Sequence, residues 1–162
     1  MTQMNQAEKR PEETAAITLL RLTMPDFPKG RLVSSESPDF IVIVSRKESV
    51  GIEITRIDPS SERNLPAEGR QGTKQSLNLN TILSTISRKD EKKALYQKKK
   101  LSRLWLVIVS GYDLISPDKR IPPNLDRLKI FSSTFHRIIL LDFAKKKHHI
   151  LFDESNKLWL SD

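Results

Sequence analysis

SPDFIVIVSRKESVGIEIT, residues 37–55, decides how this chain is read. Phe40 to Val44 are five apolar residues in a row, rich in β-branching, which predicts a central strand buried on both faces. SRKES turns the chain. Val50 to Ile57 is the next strand, so residues 39–57 are expected to form a hairpin. Alternate residues of a strand share a face. Val50, Ile52 and Ile54 point one way, and Gly51, Glu53 and Thr55 the other. Asp39 heads the first strand, where antiparallel pairing can bring it close to Glu53. Two carboxylates gathered in this way repel each other and are costly to bury unpaired. A divalent cation would offset that cost through hard oxygen ligands. The purely structural explanation is a strand-end Asp and a Glu paired to a basic residue. The tripeptide Pro-Asp-Phe is no signal by itself. It recurs at Pro25-Asp26-Phe27, where Pro28 and Gly30 make it a turn.

Outward from this hairpin, residues 1–11 read as a flexible N-terminus and 12–162 as one domain. Pro11 and the acids after it open a helix carrying Ala15, Ile17, Leu19, Leu20 and Leu22. Residues 23–31 and 58–74 are rich in Pro, Gly and polar groups and read as loops. Gln75 to about Leu101 has a helical pattern, with Ile82, Leu83, Ile86 and Leu95 as its apolar stripe. LWLVIVS (104–110) and RIILLDF (137–143) are two more buried strands. A short helix is expected over 125–135 and closing strands after 147. Strands apolar on both faces require cover on both sides, so the fold class is α/β, a mixed central sheet flanked by helices.

The chain has 162 residues, no cysteine and a net charge of +8. Disulfides, thiolate zinc sites and a cysteine nucleophile are excluded, and a reducing cytoplasm is the expected compartment. No apolar run approaches the roughly 18 residues that a membrane span needs. Arg88 to Arg103 holds eight basic residues against two acidic ones, so most of the net charge lies there. Such a balance favours a polyanion, chiefly nucleic acid, although a solvated helix face is the plain alternative.

Pro38-Asp39, Glu53 fourteen residues on, and the apolar Ile54 after it resemble the motif of the PD-(D/E)XK nuclease superfamily. The resemblance covers about residues 10–143. It implies a restriction endonuclease-like αβββαβ core and Mg²⁺-dependent (or Mn²⁺-dependent) hydrolysis of phosphodiester bonds, with DNA as the expected substrate. Asp39, Glu53 and the Ile54 carbonyl would hold the metal. The pattern departs at Thr55, where the family has Lys. Relocated lysines occur in this superfamily, commonly from the helix after the motif. Lys89 and Lys92, with Lys93 behind them, lie on the side of the predicted helix that also carries Ile86 and Tyr96. Glu12, Glu13, Glu36 and Thr55 are candidates to support the metal site, although acids in a first helical turn also suit the macrodipole. Arg88, Lys93, Lys98, Lys99, Lys100 and Arg103 are candidate phosphate contacts. Many members act as dimers, so a homodimer is a further expectation of the resemblance.

Two other readings stand beside the nuclease. A chain that has lost its lysine could be an inactive nuclease-fold module that binds nucleic acid or a protein, and an immunity-type partner protein would need only the surface. The discriminating feature is whether any Lys amine reaches the carboxylates. The His148-His149 pair reads as part of a solvated basic turn, because adjacent strand residues point to opposite faces and chelate poorly. Trp105 and Trp159 read as core. Tyr96 and Tyr112 could stack or hydrogen-bond near the site.

Overall fold

The computed structural model describes residues 4–57, 79–110, 134–143 and 145–155. Helix α1 (Met4–Thr23) is followed by strands β1 (Arg31–Ser34), β2 (Phe40–Ile43) and β3 (Ser49–Ile57). Helices α2 (Leu79–Asp90) and α3 (Lys93–Gln97) lead to β4 (Arg103–Ser110), β5 (Arg137–Asp142) and β6 (Lys147–Asp153). The expected loops over 58–74 and after Gly111, most of the short helix over 125–135, Tyr112 and Trp159 lie outside the described residues.

The strands form one six-stranded sheet in chain order, β1 to β6. β1, β2 and β3 are antiparallel to one another, β3, β4 and β5 run parallel, and β6 returns antiparallel to β5. The protein is therefore α/β with a mixed sheet. Two apolar layers cover it. On one face α1 supplies Ala16, Ile17 and Leu20 against Val50, Ile52, Trp105 and Val107. On the other, Ile82, Ile86 and Tyr96 of α2 and α3 pack with Leu104, Leu106, Ile108 and Ile138. Both faces of β4 and β5 are buried, which is why these strands read as unbroken apolar runs.

Four expectations need correction. α1 begins at Met4, with Pro11 inside it, rather than at Pro11. β2 is not buried on both faces: Phe40 and Val42 are buried, whereas Ile41 and Ile43 are only half-buried. β1 was not anticipated and displaces β2 from the sheet edge. The long helix is broken at Glu91 and Lys92, and Leu83 and Leu95, assigned to its apolar stripe, are exposed.

Candidate functional site

Glu53 and Thr55 project from β3 toward α2 and α3, opposite to Val50 and Ile52, and both are buried. The pairing of β2 with β3 sets Phe40 across from Ile52. Asp39, one residue earlier, is thereby carried to the neighbourhood of Glu53. Its carboxylate does the work that the ladder would have done next: Oδ2 accepts the Ile54 N–H at 2.8 Å. A strand residue's N–H and C=O leave on the same side, so the Ile54 carbonyl also points toward the Asp39 side.

Gly51 explains why the turn into Asp39 can lie so close. A Cβ there would stand 2.7 Å from Pro38 Cγ and 2.5 Å from Leu101 Cδ1. The buried Pro38 ring thus rests on the bare backbone of β3, and the Ser37–Pro38 peptide is cis.

Lys89 comes from the last turn of α2. Its Nζ donates to Glu53 Oε1 at 2.9 Å, and both side chains are largely buried. Lys92 and Lys93, the other lysine candidates, are exposed beyond the helix break. Glu53 Oε2 and the Tyr96 hydroxyl are buried, and neither makes a hydrogen bond of ordinary geometry. They are nonetheless neighbours. Burial first, and then the Glu53 carboxylate, push the Tyr96 phenol above its ordinary range. Asp39 is pushed up from 3.8 to about 7, mainly by burial and next by the charge of Glu53. The Ile54 N–H and Lys89 oppose that rise, and Glu13 adds to it.

The remaining candidates divide. Glu13 is close enough for its charge to act on Asp39. Glu12 is tied to Arg56 at 3.0 Å, and Glu36 is exposed. Arg88, Lys98, Lys99, Lys100 and Arg103 are all exposed around the α2–α3 end of the molecule. His148 and His149 lie in β6 rather than in a solvated turn: His148 Nδ1 contacts Thr23 Oγ1 at 3.1 Å, and burial lowers the pKa of His149. Trp105 is core, with the Arg137 guanidinium 4.6 Å above its ring centroid. Tyr96 is the residue whose place sequence reasoning left open. Its spacing from Lys89 was visible, but the helix break that brings it back to Glu53 was not.

Among the described residues no group of three or more His, Cys, Asp or Glu side chains gathers to hold a metal. The pair Asp39 and Glu53, with the Ile54 carbonyl, is a set of hard oxygens, and the orphaned Glu53 Oε2 has spare capacity to accept. That chemistry fits Mg²⁺ or Mn²⁺ better than softer metals. The class so defined is an α/β protein with a carboxylate pair, buried Glu53 and half-buried Asp39, and a lysine on one face of a mixed sheet. No family model, curated protein or solved structure matches the chain. No helix among the described residues is long and apolar enough to cross a membrane.

Proposed function

We propose that this chain is a metal-dependent nuclease of the PD-(D/E)XK kind, hydrolysing phosphodiester bonds of nucleic acid, with DNA as the expected substrate. The observation that carries the reading is the Lys89 amine, 2.9 Å from Glu53 Oε1 and close enough to Asp39 for its charge to act there. It supplies from α2 the cation that Thr55 cannot. The order α1, β1 to β3, α2, β4 agrees with the αβββαβ core expected of that superfamily. Asp39, Glu53 and the Ile54 carbonyl would hold Mg²⁺, which when bound would activate water and neutralise charge on the phosphate. Lys89 holds Glu53 Oε1 in one orientation and would present its ammonium to a phosphoryl oxygen. Asp39 is held at Oδ2 by the Ile54 N–H, which leaves its second oxygen for the metal. Exposed Arg88 of α2, Lys93 of α3, and Lys98, Lys99, Lys100 and Arg103 after it would draw the phosphate backbone in, so binding should weaken with salt.

Cleavage of DNA and RNA in Mg²⁺, with Glu53→Gln as the control, tests the reading. Loss of cleavage with binding retained supports it. Activity that survives the substitution in a nuclease-free preparation overturns it.

One observation favours a second reading, an inactive nuclease-fold module that binds nucleic acid or a protein partner. Lys89 and Glu53 already form a close, buried ion pair, which is what a purely structural role would also require. Calorimetry separates the two. Mg²⁺ or Mn²⁺ binding that disappears with Asp39→Ala supports the nuclease, and no binding by the wild type supports the module.

A further inference from the structure

Tyr96 is 3% exposed, and its ring lies 5.8 Å from that of Phe135. A buried phenol normally finds a partner for its hydroxyl. Glu53 has one oxygen taken by Lys89 and the other, Oε2, buried and unclaimed. The two orphaned atoms belong to side chains buried in the same layer between β3 and the helices, close enough for the Glu53 charge to act on the phenol. A phenol hydroxyl facing an unclaimed carboxylate oxygen has donation as its natural role.

The backbone provides for this meeting. Lys89 and Tyr96 are seven residues apart, and in an unbroken helix Tyr96 would lie about 10 Å farther along the axis. Instead the chain tightens after α2. The Glu91 N–H donates to the Ser87 carbonyl at 3.3 Å and the Lys92 N–H to the Lys89 carbonyl at 3.0 Å, and α3 then begins afresh. The break lets a lysine from one helix and a tyrosine from the next reach the same carboxylate. It has no apparent cause in Pro or Gly, since residues 90–93 are Asp, Glu, Lys and Lys.

We propose that Tyr96 is a positioning residue whose hydroxyl donates to Glu53 Oε2, so that Glu53 is gripped at both oxygens and its carboxylate is held in one orientation beside Asp39. The grip is argued from the burial of both groups and from their two unclaimed oxygens. Its consequence for metal affinity rests on the nuclease reading.

The test uses Tyr112→Phe as background, which leaves Tyr96 as the single tyrosine of the chain. Ultraviolet resonance Raman spectroscopy reads the tyrosine Fermi doublet, which reports the hydrogen bonding of the phenol. The expected result is the doublet of a strong donor, shifted toward weaker donation by Glu53→Gln and again by Glu53→Asp. A doublet that neither substitution moves overturns the proposal. In parallel, Tyr96→Phe in the full chain is titrated with Mn²⁺ by calorimetry. The expected loss of affinity is about tenfold, as for other groups that orient a ligand, with thermal unfolding showing the variant folded. Unchanged affinity overturns the positioning role. A wild type that binds no Mn²⁺ counts against the nuclease reading instead, and the Raman comparison then decides the grip.

Discussion

Asp39→Asn should stabilise the protein at pH 8 and hardly change it at pH 4. The carboxyl of Asp39 is raised from 3.8 to about 7 by burial and by Glu53. Between those values the folded protein holds a proton that the unfolded chain has lost, so the contribution of Asp39 to stability falls as pH rises through the window. Above pH 7 the folded protein bears the full cost of the second charge. Fully expressed, the rise would correspond to about 4 kcal/mol. Asp39 is only partly buried, and solvent screening brings the expectation down to about 1–3 kcal/mol. Asn can still accept the Ile54 N–H through its side-chain oxygen, so the substitution removes charge and little else. Urea unfolding at pH 8 and pH 4 measures the effect, and the melting temperature at pH 8 should rise by several degrees. A variant no more stable than wild type at pH 8, or a difference that does not depend on pH, would refute the account of the carboxylate pair. Added Mg²⁺ should stabilise wild type at pH 8 and should act much less on Asp39→Asn.

Lys89→Met leaves Glu53 buried without its cation and should cost about 3 kcal/mol; Lys89→Met combined with Glu53→Gln should recover most of that loss, and urea unfolding of the two variants checks it. Gly51→Ala forces a methyl against Pro38 and Leu101; it should cost about 1–3 kcal/mol and weaken Mn²⁺ binding, because the displaced ring carries Asp39. Replacing Lys98, Lys99 and Lys100 together by Ala should flatten the dependence of DNA affinity on salt by about 2 in log–log slope, measured by fluorescence anisotropy, with no change in melting temperature beyond about 2 °C.

What the sequence could and could not disclose follows from where each signal comes from. The alternation of β3 is local, so the common face of Gly51, Glu53 and Thr55 could be read directly. The pairing of Asp39 with that face needed only the hairpin. β1 leaves no local signal because Arg31 to Ser34 is four residues, half-buried at most, with no apolar run to mark it. β2 misleads in the opposite direction: its run is apolar, but its second face is only partly covered. The break between α2 and α3 had no local sign. The segment from Asp90 to Lys93 is all helix-compatible, and what accompanies the break is the burial of Tyr96 against Phe135.

On the proposed nuclease reading, threonine at position 55, where that motif has lysine, has a packing logic. Residues 53 and 55 stand on one face of β3, about 6.6 Å apart along the strand. α2 lies over that face, with Ile82, Thr85 and Ile86 buried beneath it. A long cationic chain at 55 would have to leave this layer or hold the helix away from the sheet. Buried Thr55 is short, and the helix can settle close enough for Lys89, at its last turn, to reach Glu53. The amine then enters from the helix rim, where its stem can lie along apolar surface while its head meets the carboxylate. Small strand residue and reaching helix lysine are therefore two halves of one arrangement. On the nuclease reading, the motif's cation is kept with its backbone anchor on the helix rather than on the sheet.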